Sequence, residues 1–197
     1  ITLLLQGEKG WTPLHEACKT EKIEEVKSLL ANGGGDAVNK ADWKMRTPIH
    51  KAASKGCDQS VIALLEAGAD PDKQDMRGYT ALHRACITCQ VSVIRALLDH
   101  HANPNILSDD YQNPLMTILS NPARAPLPSD QDVILDFIAH GLDPNAYHPA
   151  GTHQQSLLTY CCRRQLWKAV MKLVELKADA NLVFKSGYSA LHQACMM

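Results

Sequence analysis

Four histidines, each at the end of one recurring phrase, are the residues of this chain best suited to chemistry. Imidazole is a common zinc ligand and a frequent general base near neutral pH. The four stand at corresponding positions in separate copies of the phrase, so they fall on successive helices instead of converging on one point. We therefore interpret them as structural and expect neither a metal site nor a general base at His15, His50, His83 and His192.

The seven cysteines offer a second candidate chemistry. Cys86 and Cys89 form a lone C-x-x-C, but zinc would need two further ligands and a redox pair would need a strand-to-helix context. No base and orienting acid can be assigned around Cys161 and Cys162. Four cysteines lie three residues after the histidine position, which predicts small buried hydrophobes and no disulfides. These four are Cys18, Cys86, Cys162 and Cys195.

Composition argues against further classes of function. The formal net charge of −1 gives no overall attraction to nucleic acid, and no apolar run reaches the length of a membrane span. Residues 33–35 are glycines that end a helix instead of opening one, so no phosphate-binding loop is predicted. We expect a non-enzyme without cofactor, metal or disulfides. The cysteine usage places it in a reducing compartment, the cytoplasm, with the nucleus left open.

The recurring phrase also defines the elements that position these residues. It begins with Thr12-Pro13-Leu14-His15, and related copies begin at residues 47, 80 and 189, with degenerate copies at 113 and 156. The six starts are 35, 33, 33, 43 and 33 residues apart, and a period near 33 indicates a stacked repeat array. Thr or Ser caps a helix and proline suits its first turn, so each copy predicts a short helix.

A second helix follows in each complete unit. Its apolar residues recur at three- and four-residue spacing, as in residues 23–30 and 91–98. We expect it to end at Gly33, Gly68 or Gly141 in the left-handed conformation. His101 and Lys177 stand where that glycine would be, at an expected cost of about 1 kcal/mol each.

With these phrases, the helix end Gly68-Ala69-Asp70 and the turn 75–80, the chain resembles an ankyrin-repeat array over residues 7–197. The resemblance implies an all-α solenoid of antiparallel helix pairs with projecting β-hairpin loops, whose inner helices and hairpins form a concave face. It also implies that each histidine bonds the Thr hydroxyl and ties neighbouring units together. We assign one domain, 1–197, with units 7–41, 42–74, 75–107, 108–150, 151–183 and a partial unit 184–197.

The fourth unit is the largest departure from the period. It is ten residues longer than its neighbours, and three prolines fall in the insertion at about 121–130, which predicts a loop. Asp130 is expected to cap an outer helix Asp132–Ala139. The insertion is either neutral or an added docking strand.

Other departures are smaller. Residues 32–36 lengthen the first complete unit by two residues. Met116 and Thr159 replace the histidine in units four and five, which should therefore be less regular. The chain starts with Ile and its last unit lacks a second helix, so we expect a fragment of a longer protein, with a natural terminus as the alternative.

The resemblance points to hairpin tips and exposed inner-helix positions as the contact surface. Aromatic, Met and Arg residues are enriched at interface centres, and they recur at these positions. The residues carried over as partner-binding are Trp11, Lys19, Trp43, Lys44, Arg46, Lys55, Met76, Arg77, Tyr79, Arg163, Arg164 and Tyr188. The first three units should form an aromatic and basic patch for a peptide with acidic and apolar residues, interrupted farther along by Asp109 and Asp110. The alternative is that the aromatics pack on neighbouring hairpins and the cations are merely solvated.

Three classes of function follow. The first is a non-catalytic protein-protein interaction module that binds a partner protein or peptide on the concave face. The second is the targeting or substrate-recruiting region of a larger enzyme or secreted pathogen effector whose catalytic domain lies outside these residues. The third, nucleic-acid binding through the basic positions, is disfavoured by the balanced charge and would show a steep salt dependence.

Overall fold

The structure is a computed structural model that describes residues 10–32, 34–119, 130–147, 155–183 and 189–195. These residues form pairs of short helices joined by tight turns. A 3-10 turn, Gly34–Ala37, follows the second helix. The α-helices are α1 (Pro13–Lys19), α2 (Ile23–Ala31), α3 (Pro48–Lys55), α4 (Asp58–Glu66), α5 (Ala81–Ile87), α6 (Val91–Asp99), α7 (Pro114–Leu119), α8 (Asp130–Ala139), α9 (Leu157–Arg163), α10 (Trp167–Glu175) and α11 (Ala190–Cys195).

Each copy of the phrase opens an inner helix, as predicted. Thr12 and Thr80 are extended N-cap residues whose hydroxyls accept the backbone N–H of the histidine three residues later. The imidazole reciprocates, because its Nδ1 accepts the N–H of the cap residue at 3.1 Å in both units. This reciprocal pair satisfies two N–H groups that a helix start would otherwise leave without partners.

The helices stack in two rows. The inner row runs α1, α3, α5, α7 and continues with α9 against α11, while α2, α4, α6, α8 and α10 form the outer row. Ala17, Ala52 and Ala85 are almost fully buried where the inner helices meet, because their small side chains allow close approach. The predicted all-α solenoid of antiparallel helix pairs is confirmed. Within the described residues the only β-type pairing outside turns is one isolated bridge, Tyr147 with Ser156.

The projecting hairpins repeat one hydrogen-bond pattern. In the 42–46 hairpin, the N–H of Asp42 donates to the carbonyl of Arg46 at 2.8 Å, and residues 75–79 and 108–112 close in the same way at 2.9 Å. Adjacent tips are joined, since the N–H of Met76 donates to the Lys44 carbonyl at 3.0 Å and that of Asp109 to the Arg77 carbonyl at 3.1 Å. The tips therefore form one continuous edge.

The histidines tie each unit to the next. The Nε2 atoms of His15, His50 and His83 lie 2.9, 3.0 and 3.0 Å from the carbonyl oxygens of Arg46, Tyr79 and Gln112. Since Nδ1 accepts a backbone N–H, the proton is on Nε2, which donates to the following hairpin. We call this series the histidine ladder. Met116 has no side-chain N–H or O–H to donate, so it cannot continue the ladder in the same way.

A second ladder runs along the opposite end of the hairpins. Side-chain oxygens of Asn39, Asp72, Asn105 and Asn145 each accept, at 2.8 Å, a backbone N–H of the next unit. The donors are Asp70, Asn103, Asp143 and Asp179, in that order. We call this series the Asx ladder, and it continues past the fourth unit.

The predicted helix ends are largely confirmed. Gly68 and Gly141 adopt φ of 85° and 84°, and His101 and Lys177 are forced to 63° and 61° at the same position. Gly33 lies outside the described residues.

Two predictions about local structure were wrong. The α8 helix begins at Asp130 itself, two residues earlier than predicted, because Asp130 and Gln131 continue the helical turn. Cys195 is exposed, unlike Cys18, Cys86 and Cys162, because no described helix covers that side of α11. Most of the 121–130 insertion lies outside the described residues.

Candidate partner-binding surface

A cleft of about 470 Å³ lies between the 42–46 hairpin and the inner helices α1, α3 and α5. Its walls combine two indole rings with six cations. The lining residues are Trp11, Lys19, Trp43, Lys44, Arg46, His50, Lys51, Ser54, Lys55 and Arg84. The structure thus brings together six of the residues predicted as partner-binding: Trp11, Lys19, Trp43, Lys44, Arg46 and Lys55.

The buried carboxylate of Asp42 organises the floor of this cleft. Its Oδ1 accepts the N–H groups of Lys44 and Arg46, both at 2.9 Å, which shapes the hairpin. Its Oδ2 accepts Nε and Nη2 of Arg46 at 3.0 and 2.8 Å and the indole N–H of Trp11 at 3.1 Å. These bonds outweigh burial and hold the pKa of Asp42 at about 2. The carboxylate therefore stays ionised.

Trp11 is half-buried and not a free tip. Its ring lies under two ammonium groups, with Nζ of Lys51 at 4.4 Å and Nζ of Lys19 at 4.9 Å from the ring centroid. For this residue the packing alternative considered above holds, since its indole N–H is also bonded to Asp42. It forms a wall of the cleft and orients the two lysines.

Tyr79 is buried, so the prediction that it stands exposed at a hairpin tip was wrong. Its ring lies 5.0 Å from the guanidinium carbons of both Arg77 and Arg84. Its hydroxyl donates to Oδ2 of Asp110 at 3.2 Å. Burial raises the pKa of this phenol. These contacts come from its own hairpin, the next hairpin and the following inner helix, and they remove the ring from solvent.

The other predicted residues fall in separate places. Trp43 and Met76 are 64 % and 62 % exposed at adjacent tips. Arg77 is also exposed, and its Nη2 lies 3.8 Å from Oδ2 of Asp110. Arg163 and Arg164 lie farther along, at the end of α9, with their guanidinium carbons 6.0 and 5.7 Å from the Tyr160 ring. Tyr188 lies outside the described residues.

Sequence reasoning missed Lys51 and Arg84. Each directly follows the histidine of its phrase, and that position faces the cleft in units two and three. The side chain of Arg84 pairs with Oδ2 of Asp75. Burial, and secondarily the charge of Arg46, lowers the pKa of Lys51 to about 8. The signal was present in the sequence, since a cation follows His50 and His83.

His15, His50 and His83 have both ring nitrogens engaged in hydrogen bonds. Burial lowers the pKa of His50 and His83 to about 4, so their imidazoles are neutral near pH 7. Within the described residues, no group of three His, Cys, Asp or Glu side chains is placed to hold a metal ion. The geometry is that of a structural bridge.

The cysteines are free thiols. Burial raises the pKa of Cys18 and Cys161 to about 12, which keeps them protonated and poorly nucleophilic. Every helix in the described part of the chain falls short of the length and hydrophobicity that a bilayer-spanning helix requires.

Comparison with known proteins agrees with this architecture. The family model described as ankyrin repeats in three copies matches residues 1–75, and the ankyrin repeat model matches residues 77–109. A mouse (Mus musculus) B-cell lymphoma 3 protein homolog is 29% identical over 189 residues, 95% of this chain and 41% of the relative.

Two further relatives show how widely the array is shared. The palmitoyltransferase AKR1 of Kluyveromyces lactis is 35% identical over 81 residues, 41% of this chain and 11% of the relative. An ankyrin repeat protein of fowlpox virus is 27% identical over 184 residues, 92% of this chain and 35% of the relative. The chain thus spans less than half the length of each of these relatives. With its six phrases, its two ladders and these matches, the chain belongs to the ankyrin-repeat family, whose repeats are generally protein-interaction modules.

Proposed function

We propose that this chain is a protein-binding module whose cleft, between the 42–46 hairpin and α1, α3 and α5, takes a peptide segment with acidic and apolar residues. The observation that carries the proposal is the lining of the cleft, in which two indoles accompany six cations. Among the described residues, the carboxylates within 4 Å of these cations are those of Glu16, Asp42 and Asp75. Cations therefore exceed carboxylates by three, and a complementary segment is acidic.

The exposed apolar groups beside the cleft supply the second half of the proposed recognition. Trp43 and Met76 stand on neighbouring tips that share a backbone hydrogen bond through Lys44. Burying a large side chain of this kind contributes about 1.5–3 kcal/mol, so two of them provide a substantial anchor. Lys44 and Lys55 beside them are exposed and suited to long-range attraction of an acidic partner.

A peptide-display selection tests the proposal directly. A random peptide library is panned on the 197-residue protein, and the selected peptides are measured by fluorescence anisotropy. The cleft variant combines Trp43→Ala, Lys44→Glu and Lys55→Glu, three exposed positions that leave the Asp42 floor intact. The matched control on the outer helix α10 combines Trp167→Ala, Lys168→Glu and Lys172→Glu, with the same change in charge and the same loss of an indole.

The expected result is enrichment of peptides with Asp or Glu near large apolar residues, bound by the native protein and the α10 control but not by the cleft variant. Circular dichroism verifies that both variants stay folded. Peptides bound equally by the cleft variant would overturn the proposal. Binding lost in the α10 control instead would place recognition on the outer helices.

A second candidate function follows from the relatives. The palmitoyltransferase contains a region similar to this chain that makes up only 11% of its length. An array of this kind would then recruit a substrate to a catalytic domain encoded elsewhere in the same gene. Determining the sequence on both sides of residues 1–197 in the transcript tests this candidate, and the absence of a catalytic domain there would reject it.

A further inference from the structure

Lys51 is the least neutralised charge on the floor of the cleft. Its side chain is only 11 % exposed, and its Nζ lies 3.5 Å from Oδ2 of Asp42. That oxygen already accepts two bonds from Arg46 and one from Trp11, and the Asp42 side chain is fully buried. Asp42 therefore shares one negative charge between Arg46 and Lys51, and its contact with the Lys51 ammonium leaves N–H donors of that group for a further acceptor.

The neighbours of Lys51 carry more positive than negative charge. Among the described residues, the charged and titratable groups that face it are Asp42 and Arg46 of the hairpin, His15 and Lys19 of α1, and Arg84 of α5. Arg46 and Arg84 are each committed to a buried carboxylate of their own. A largely buried ammonium between two such ion pairs lacks a full counter-charge, and this is costly unless a partner supplies one.

We infer that Lys51 is the centre of an anion-binding subsite that takes one carboxylate, an Asp or Glu side chain of the bound peptide, from the open side of the cleft. This inference rests on the proposed function and names the residue that sets its specificity. The ammonium lies over the Trp11 ring at 4.4 Å, which fixes its position without neutralising its charge. Exposed Lys55, one turn farther along α3, stands at the rim of the same subsite.

The donor set selects a carboxylate over a phosphate. Phosphate groups are best matched by free arginine forks that bind two oxygens at once. Here the Arg46 and Arg84 guanidiniums are occupied by Asp42 and Asp75, so the buried group left to bind an anion is the single ammonium of Lys51, with exposed Lys55 at the rim. A single positive charge with movable donors matches the single negative charge of a carboxylate.

A double-mutant cycle tests the subsite. Lys51→Met keeps most of the aliphatic stem on Trp11 and removes only the charge. A peptide selected on the native protein is compared with its Asp→Asn or Glu→Gln counterpart, on both native and Lys51→Met protein. Loss of the charge-assisted bond should weaken binding by about 10- to 100-fold in either single change, with little further loss when both are made.

The pH dependence gives a readout that a merely structural role would not produce. The pKa of Lys51 is about 8, so the free ammonium is largely lost by pH 9. Native affinity should therefore fall about tenfold between pH 7 and pH 9, and Lys51→Met affinity should stay level over that range.

The possible outcomes separate the two proposals. If the selected peptides need Trp43 but the two changes in the cycle have additive effects, the Lys51 subsite is wrong and the proposed binding cleft still stands. Peptides that bind the cleft variant as tightly as the native protein would overturn both the cleft and the subsite. A phosphoserine replacement of the acidic residue that binds more tightly overturns the assignment to a carboxylate.

Discussion

Gly78 is the position where the contact between adjacent hairpins can be measured most directly. Its φ is +70°, and a Cβ at this position would lie 2.8 Å from the N atom of Asp109 and 3.0 Å from the Cα of Ser108. Both atoms belong to the backbone of the next hairpin, so the contact cannot be relieved by rotating a side chain. Gly78→Ala must therefore shift one hairpin relative to the other.

The expected cost has two parts. Alanine in the left-handed conformation costs about 1 kcal/mol. Overpacking against backbone adds about 1–3 kcal/mol, because moving Asp109 strains its 3.1 Å bond to the Arg77 carbonyl. We expect Gly78→Ala to lower the free energy of unfolding by about 3 kcal/mol in total.

Gly68→Ala is the matched control. Gly68 has a similar φ of +85°, but a Cβ added there would meet no atom within 4 Å, so only the conformational cost of about 1 kcal/mol applies. Urea unfolding followed by far-UV circular dichroism measures both variants, and hydrogen exchange at the Asp109 amide reports the contact itself. Equal losses in the two variants would refute the reasoning that the hairpin edge is tightly packed.

Three further predictions concern charge. Because the folded pKa values of His50 and His83 are about 4, below the unfolded value near 6.5, stability is full above pH 6.5 and falls as the pH drops toward 4, with a loss of about 2 kcal/mol per histidine at pH 5. The loss is measured as a lower urea midpoint, and an unchanged midpoint would show that these histidines are not neutral in the folded protein. Lys51→Met should raise the free energy of unfolding at pH 7 by about 1–2 kcal/mol after allowance for solvent screening, and this gain should shrink between pH 8 and 10.5 as the native lysine deprotonates. The control Lys55→Met should change the free energy of unfolding by less than about 0.5 kcal/mol, and a Lys51→Met protein less stable than the native one would contradict the absence of a full counter-charge. Asp42→Ala should lower the free energy of unfolding by about 3–5 kcal/mol because it leaves Arg46 and Lys51 without their carboxylate, whereas Ser108→Ala, at the same position two hairpins on, should lower it by about 1 kcal/mol. Equal denaturation midpoints for the two variants would show that the Asp42 cluster is not stabilising.

The periodicity of the sequence predicted the fold because the inner helix of each unit begins with the same short capping sequence. Thr12, Pro13 and His15 contain the whole cap, and the cap needs no distant residue. The exposure of a side chain is different. Tyr79 is covered by Asp110, 31 residues away, and no repeat pattern reports that contact.

The candidate site was predicted in outline and not in its chemistry. The aromatic and basic composition of the first hairpins was visible in Trp43 and Lys44. Lys51 was missed because it directly follows the phrase, and the sequence alone does not show which groups of the neighbouring hairpin it faces. Its importance arises from the sharing of the Asp42 charge with Arg46, which depends on hydrogen bonds that only the folded hairpin makes.

The two ladders differ in the units that they join within the described part of the chain. The histidine ladder joins the first four units at the inner side, while the Asx ladder carries on through Asn145 to Asp179. Between units four and five the Asn145–Asp179 bond is accompanied by packing of α8 on α10 and by the Lys168 N–H, which donates to Oε1 of Gln131 at 3.2 Å. The cleft therefore lies in units that both ladders join, whereas Arg163 and Arg164 lie at the end of α9 in unit five. A partner that reaches from the cleft to these two arginines would have to pass the 108–112 hairpin, where Asp109 and Asp110 interrupt the basic surface with negative charge.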